Sequence, residues 1–268
     1  MPELPEVETI RRGLEKRILG KKIKRVEVNT DRMVKKPSPK RFKEEVVGKK
    51  ITQVIRRGKY LILVLSSGKS IVIHLRMTGQ LIYGNKDAKS RVSFLLSKGK
   101  YLNLKDTRHL GEIRLAENWK KVPGIAKIGI EPLENSFTFK VFGKMLNKKK
   151  AKIKPLLMNQ EFLAGVGNIY AQEALFKARI HPEKQANRLK QEQVKSLFSE
   201  MKRVLNKAID YKGSSLVSYV DADGRRGSFH SRLQVYGRGG EPCVECKSPL
   251  KFIKIGGRGT TFCPKCQK

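Results

Sequence analysis

The stretch "YLILVLSSGKSIVIHLRM", residues 60–77, decides the class of fold. Two runs rich in Leu, Ile and Val flank Ser-Ser-Gly-Lys. Short apolar runs broken by a glycine turn predict a β-hairpin, because each run is too short for a buried helix. Outward from it, "RVSFLL" (91–96) and "KYLNLKD" (100–106) flank "SKG" and repeat the pattern. From residue 22 to about 115 the signals are β. Many short strands with glycine turns imply an antiparallel sandwich or barrel.

The flanks differ in period. Upstream, residues 5–19 predict a helix. Pro5 suits its first position, and Glu6 and Glu8 complement the positive dipole end. Val7, Ile10, Leu14 and Ile18 recur at helical spacing, and Gly20 follows as a stop. A residue preceding proline is biased away from the helical region, so residues 1–4 should be extended. Downstream, "IKPLLMNQEFLAG", "GNIYAQEALFKARI" and "LKQEQVKSLFSEMKRVLNKAID" are helical. In the last, Val194, Leu197, Phe198, Met201, Val204, Leu205 and Ile209 form one apolar stripe, read as packing. The lysine-rich run at 144–154 reads as a hinge. The expected architecture is α+β and multidomain: a β-sandwich with flanking helices at 1–131, a helical domain at 132–237 and a cysteine-rich module at 238–268.

Charge is the outlying bulk property. The chain of 268 residues carries 59 Lys and Arg against 24 Asp and Glu, a net +35. So large an imbalance strains a compact fold by self-repulsion and suits a polyanion, since each neutralised phosphate releases a counterion. No apolar run approaches the roughly 20 residues of a membrane span. Glu3, Glu6 and Glu8 stand where a secretory signal would be basic.

All four cysteines fall in two CxxC pairs, Cys243 with Cys246 and Cys263 with Cys266, separated by 16 residues. That spacing suits four thiolates around one Zn²⁺ in a reducing compartment. Four protein ligands leave no open position, so the zinc is expected to be structural. Between the pairs, "LKFIKIGGRGTTF" predicts two strands and a turn with Arg258 near its tip. The glycines around it free the backbone to approach a phosphate.

"MPELPEVET", "RRGKYL", "HLRMTG", "GVGNIY" and "GGRGTTFCPKCQ" occur in this order along the chain. Together they resemble the bacterial formamidopyrimidine-DNA glycosylases over essentially the whole length. The resemblance implies an N-terminal β-sandwich, a helix–two-turns–helix domain and a zinc ribbon. It also implies damaged double-stranded DNA as partner, base excision followed by β,δ-elimination, and a cytoplasmic, nucleoid-associated monomer. Pro2 matches the nucleophile, which requires that Met1 be removed. Glu3 matches the general acid/base, and Glu6 also matches the motif, either orienting the Pro2 amine or serving the helix dipole. Lys59 matches a catalytic lysine, and Arg258 a phosphate clamp linked to the second elimination. Asn168, Lys149, Lys154 and Arg91 lie at DNA-contact positions, the last where His is common. Met77 and Arg108 match residues that fill the space left by an extruded nucleotide. Leu110 stands where the family has Phe, which removes aromatic stacking but keeps an apolar wedge. A lesion-capping loop is expected within 221–229.

Two other readings compete: an endonuclease VIII-like enzyme preferring oxidised pyrimidines, and a DNA-binding protein without catalysis. "MPELPEVET" favours oxidised purines such as 8-oxoguanine and formamidopyrimidines. Joint retention of Pro2, Glu3, Lys59 and Arg258 argues for catalysis. Chelation is expected to unfold the cysteine-rich hairpin and abolish DNA binding, and unchanged affinity after verified zinc loss would contradict this.

Overall fold

The computed structural model describes residues 1–268. They form two compact units, one of residues 1–126 with 209–230, the other of residues 127–208 with 231–268.

The first unit opens with helix α1 (Leu4–Ile18), whose Val7, Ile10, Leu14 and Ile18 are fully buried. Gly20, at φ 75°, ends it and donates its N–H to the Ile51 carbonyl at 2.8 Å. The strands follow as β1 (Ile23–Val28), β2 (Val34–Lys36), β3 (Ile51–Arg57), β4 (Tyr60–Leu65), β5 (Ser70–His74), β6 (Gln80–Gly84), β7 (Val92–Leu96), β8 (Tyr101–Lys105) and β9 (Glu112–Ala116). Helix α2 (Pro39–Val46) lies between β2 and β3, and the short α3 (Pro123–Ala126) follows β9. One sheet runs β1-β7-β8-β6 and the other β2-β9-β5-β4-β3. Both expected hairpins form, with Ile62 opposite Val72 in one and Phe94 opposite Leu102 in the other. Side chains from both sheets and α1 share one core that includes Ile10, Phe42, Leu63, Ile73, Phe94 and Ile113. Glu8 ties α1 to β3 by accepting from Arg56 Nε at 3.0 Å. Burial pushes the Glu8 carboxyl up, but bonds from Arg11 and Arg12 and the Arg56 charge outweigh it and leave it below the usual value.

Two expectations for this unit are corrected. β signals were expected throughout residues 22–115, yet 39–46 are helical. Ser38 caps α2 by accepting the Arg41 N–H, Pro39 fills its first turn, and Phe42 and Val46 face the core. Burying one such phenylalanine contributes about 2 kcal/mol. The sheets are also not wholly antiparallel, since β2 pairs with β9 in parallel. A long connection separates those strands, so no hairpin dictates their direction.

The second unit contains α4 (Phe139–Asn147), α5 (Ile153–Met158), α6 (Asn168–Lys177), most of α7 (Gln191–Asp210), β10 (Lys251–Ile255) and β11 (Arg258–Phe262). Phe137 packs against Phe142 and Phe198, at 5.1 and 5.2 Å between ring centroids. Phe198 and its stripe neighbours on α7 therefore face a core. The run expected as a hinge includes the end of α4, leaving only 148–152 between helices. Residues 209–230, expected within the helical domain, group with the first unit.

His74 closes β5 with the Tyr60 ring edge-on at 4.5 Å. Its Nδ1 accepts the Arg76 N–H at 3.0 Å. Burial, then the charges of Arg76 and Lys59, push its pKa down to about 3. An unfolded histidine titrates near ~6.5, so between that value and about 3 the unfolded chain binds a proton that the folded protein does not. Stability should therefore fall as pH drops through this window. Melting temperatures measured from pH 7 to 4 are expected to decline more steeply for the native chain than for His74→Gln, and parallel slopes would contradict this.

Candidate functional site

The N-terminal cluster lies in the first unit. Pro2, Glu3 and Glu6 are buried, and Met1 is half exposed. Glu3 is extended and immediately precedes α1, while Leu4, expected outside the helix, begins it. Pro5 sits in the first turn, where an N–H has no intrahelical acceptor. One Glu6 oxygen accepts the Glu3 N–H at 2.8 Å, and the other accepts the Ser214 N–H at 2.8 Å. The carboxylate thus serves both the helix start and the residue beside the terminus. Gly213, at φ 80°, allows this, because a Cβ there would lie 2.8 Å from the Glu6 oxygen. The Tyr219 hydroxyl donates to the Lys212 carbonyl at 2.9 Å and closes the same turn. Sequence reasoning missed residues 213–219, since nothing local marks a contact spanning 208 positions.

Lys59 occupies the two-residue turn between β3 and β4, beside Gly58 at φ 55°. It is almost fully buried, and its charge adds to burial and the Arg76 charge in lowering the His74 pKa. It is therefore not an ordinary solvated lysine at a strand end.

Segment 221–229 is stapled rather than loose. One Asp221 oxygen accepts the N–H groups of Asp223 and Arg225, both at 2.9 Å. The Ser215 hydroxyl accepts the Gly227 N–H at 2.9 Å. Gly227 serves close approach, because a Cβ there would stand 2.1 Å from the Lys212 carbonyl oxygen.

Met77 and Arg108 lie on adjacent loops, with Arg108 Nη1 3.2 Å from the Met77 sulfur. Leu110 shares the Arg108 loop, and all three are exposed or half exposed. Arg91 donates to the Asp106 carbonyl at 3.3 Å.

The second unit holds the other expected residues. Asn168 begins α6, with Gly167 as the N-cap. Its Nδ2 donates to the Gly259 carbonyl at 3.2 Å. Lys154 is fully buried, with Nζ 2.7 Å from the Thr260 hydroxyl and 3.4 Å from the Gly259 carbonyl. It was expected at a DNA-contact position; in this structure its ammonium faces the β10–β11 hairpin instead of solvent. Gln172, which the sequence reading passed over, also donates to the Gly259 carbonyl and accepts the Thr261 N–H at 2.7 Å. Its one available signal is the i, i+4 spacing from Asn168 along α6. Lys149 is exposed between α4 and α5.

Gly256 and Gly257 join β10 to β11 with both φ angles positive, as a tight hairpin turn demands. Arg258 follows, exposed, opposite Ile255. Its neighbour Gly259 is the residue anchored by Lys154, Asn168 and Gln172.

The four thiols form no disulfide, and their sulfurs lie within 4.8 Å of one another. Cys243 is 3.9 Å from Cys266, and Cys246 is 3.4 Å from Cys263. A tetrahedral site with bonds of ~2.3 Å needs edges of about 3.8 Å. Thiolate donors at these separations fit Zn²⁺, and Phe176, Val235 and Leu250 pack around them. Cys243, Cys246, Cys263 and Cys266 hold one structural zinc.

Three family models cover most of the chain. They are the formamidopyrimidine-DNA glycosylase N-terminal domain over residues 1–113, the H2TH domain of the same family over 128–219, and a zinc finger found in FPG and IleRS over 240–268. A formamidopyrimidine-DNA glycosylase of Heliobacterium modesticaldum is 44% identical over 277 residues, covering all of both chains. That of Pelotomaculum thermopropionicum is 43% identical over 274 residues, covering all of this chain and 99% of the other. Among solved structures, a Lactococcus lactis Fpg with abasic-site DNA is 39% identical at a TM-score of 0.91, covering 99% of both chains. The MutM protein of Thermus thermophilus is 36% identical at 0.89, covering 99% of this chain and 98% of that one. With the glutamate-anchored terminus and four-thiolate centre described above, these full-length matches place the chain in the formamidopyrimidine-DNA glycosylase family.

Proposed function

We propose that this protein is a bifunctional DNA glycosylase and abasic-site lyase of base-excision repair, acting on oxidised purines in duplex DNA. The carrying observation is the buried, doubly anchored start of the chain, where Glu6 fixes Glu3 against Ser214. A terminus held this way suits a positioned reagent better than a frayed end.

The active form begins at Pro2. With Met1 attached, the Pro2 nitrogen is a tertiary amide and has no nucleophilic lone pair. Once free, it is a secondary amine, and α-amino groups titrate near ~8, so a useful fraction is neutral at physiological pH. Its lone pair attacks C1′, the base leaves with the electrons of its bond to C1′, and the proton shed by the Pro2 nitrogen neutralises it. Glu3 protonates the ring oxygen, the C1′–O4′ bond opens, and an iminium forms between C1′ and Pro2. The iminium acidifies the C2′ proton, whose removal expels the 3′ phosphate. A second elimination expels the 5′ phosphate. Lys59 is assigned the family's catalytic lysine role, and Glu6 acts as a positioning residue.

Extrusion of the nucleotide is a prerequisite for reaching C1′, with Met77, Arg108 and Leu110 filling the vacated space. Arg258 clamps the lesion phosphate, which its planar guanidinium suits. Asn168 stands where a helix N-terminus favours a phosphate, and Lys149 and Arg91 add further cationic contacts. Lys154 and Gln172 support the Arg258 hairpin from within. The +35 net charge supports a long DNA footprint. No helix is long and apolar enough to cross a membrane. A cytoplasmic site of action at the nucleoid fits this reading, and one chain supplies every residue named, so a monomer suffices.

Borohydride trapping on an 8-oxoguanine duplex is expected to yield an adduct whose peptide maps to Pro2, in protein whose intact mass lacks Met1. A cross-link at any other residue overturns the mechanism. Glu3→Gln should slow excision by about 10²-fold or more, as loss of a general acid does. Arg258→Ala should still trap but shift the cleaved ends from 3′ phosphate toward the unsaturated aldehyde on a sequencing gel. Unchanged ends would remove Arg258 from the second elimination.

A further inference from the structure

Residues 75–79 connect β5 to β6, and residues 106–111 connect β8 to β9. Each loop contains a non-glycine residue in the left-handed region, Arg76 in one and His109 in the other, both at φ 52°. Such conformations cost about 1–3 kcal/mol and persist only where surrounding bonds hold them. The strained residues adjoin the side chains that face solvent: Arg76 precedes Met77, and His109 separates Arg108 from Leu110.

Asp106 supplies bonds to residues beside both of them. It is 3% exposed. One carboxylate oxygen accepts a short hydrogen bond from the Thr78 hydroxyl, on the opposite loop. The same oxygen accepts the Arg108 N–H at 3.1 Å. The other accepts the Gly111 N–H at 2.6 Å. Thr78 Oγ1 lies 3.3 Å from the Arg108 nitrogen, so the three groups form a closed knot. Gly111 makes room for it: a Cβ there would lie 3.2 Å from Asp106 Oδ2 and 3.0 Å from the Met33 methyl. A buried carboxylate accepting from one hydroxyl and two backbone N–H groups is a rigid element, because releasing any donor leaves charge unsatisfied.

We propose that Asp106 and Thr78 are a positioning pair that fixes the two loops against each other and thereby presents Met77, Arg108 and Leu110 as one wedge. This rests on the reading of those three residues as fillers of the vacated space. The pair touches neither substrate nor reacting atoms. It acts on duplex substrates, where a base must be replaced in the stack, and not on the Schiff-base chemistry itself.

Asp106→Asn keeps the size but brings an NH₂ group against a backbone N–H or the Thr78 hydroxyl. Thr78→Val removes the donor at constant shape, and Thr78→Ser restores it. The measured quantity is the rate of 8-oxoguanine excision in duplex DNA divided by the rate of borohydride trapping on single-stranded abasic DNA, which has no opposite strand to support. Asp106→Asn and Thr78→Val are expected to lower this ratio about tenfold, the scale of one lost hydrogen bond to a charged group. Thr78→Ser should return it to the native value. A fall in both rates together, at constant ratio, overturns the proposal and makes the knot merely structural. So does an unchanged ratio, or failure of Thr78→Ser to restore it. The double variant Met77→Ala, Leu110→Ala tests the underlying reading. If it lowers the ratio and the Asp106 and Thr78 variants do not, the positioning role alone is wrong. If it leaves the ratio unchanged, the wedge reading falls and the positioning role with it.

Discussion

One carboxylate organises the N-terminal end of this protein. Glu6 accepts the N–H of Glu3, its capping partner, and the N–H of Ser214, far away in sequence. A chain terminus has only one covalent tether, so its entropy must be removed by non-covalent bonds before it can serve as a reagent. Glu6 does this at low cost, because each of its oxygens meets an N–H that burial would otherwise leave unsatisfied. Gly213 is fixed by the same demand, since any side chain there would collide with the carboxylate.

The second unit solves a parallel problem with different chemistry. Arg258 sits at the end of a hairpin too small to bury a core of its own. Zinc closes one end, through Cys243, Cys246, Cys263 and Cys266. At the other, the Gly259 carbonyl receives Lys154, Asn168 and Gln172. A buried lysine is expensive unless its ammonium is hydrogen-bonded. Lys154 meets that condition by gripping the hairpin, so a residue that looks like one more surface cation in a chain of 59 basic residues is internal.

Much of this was legible in the sequence, wherever the signal is local. The two central hairpins, α1 and the thiolate spacing follow from periodicity, turn residues and ligand chemistry. Local signals also existed for α2, in Ser38 and Pro39 at a helix start, but the strong β pattern on both sides masked them. The parallel pairing of β2 with β9 left no local trace, since a three-residue strand takes its direction from its neighbours. Lys154 and Gln172 illustrate the deeper limit. Burial of a polar side chain depends on what the fold places opposite it, and neither composition nor spacing encodes that. Family resemblance could mark which residues matter, yet it did not separate those that touch a ligand from those that hold them.

The route of the chain has a consequence for modular exchange. The unit built around α1 is not a contiguous segment. It recruits residues 209–230 after the chain has already passed through α4, α5 and α6. Ser214, Tyr219 and Asp221 therefore travel, in any recombination, with the downstream gene fragment and not with the terminus they support. A chimera joined near residue 131 would pair the Glu6 of one parent with the 213–219 turn of another. Compatibility would then hinge on whether the incoming turn keeps a glycine where Gly213 stands, a requirement invisible in either fragment alone. In inheritance, the anchored N-terminus and its support form one unit written in two places.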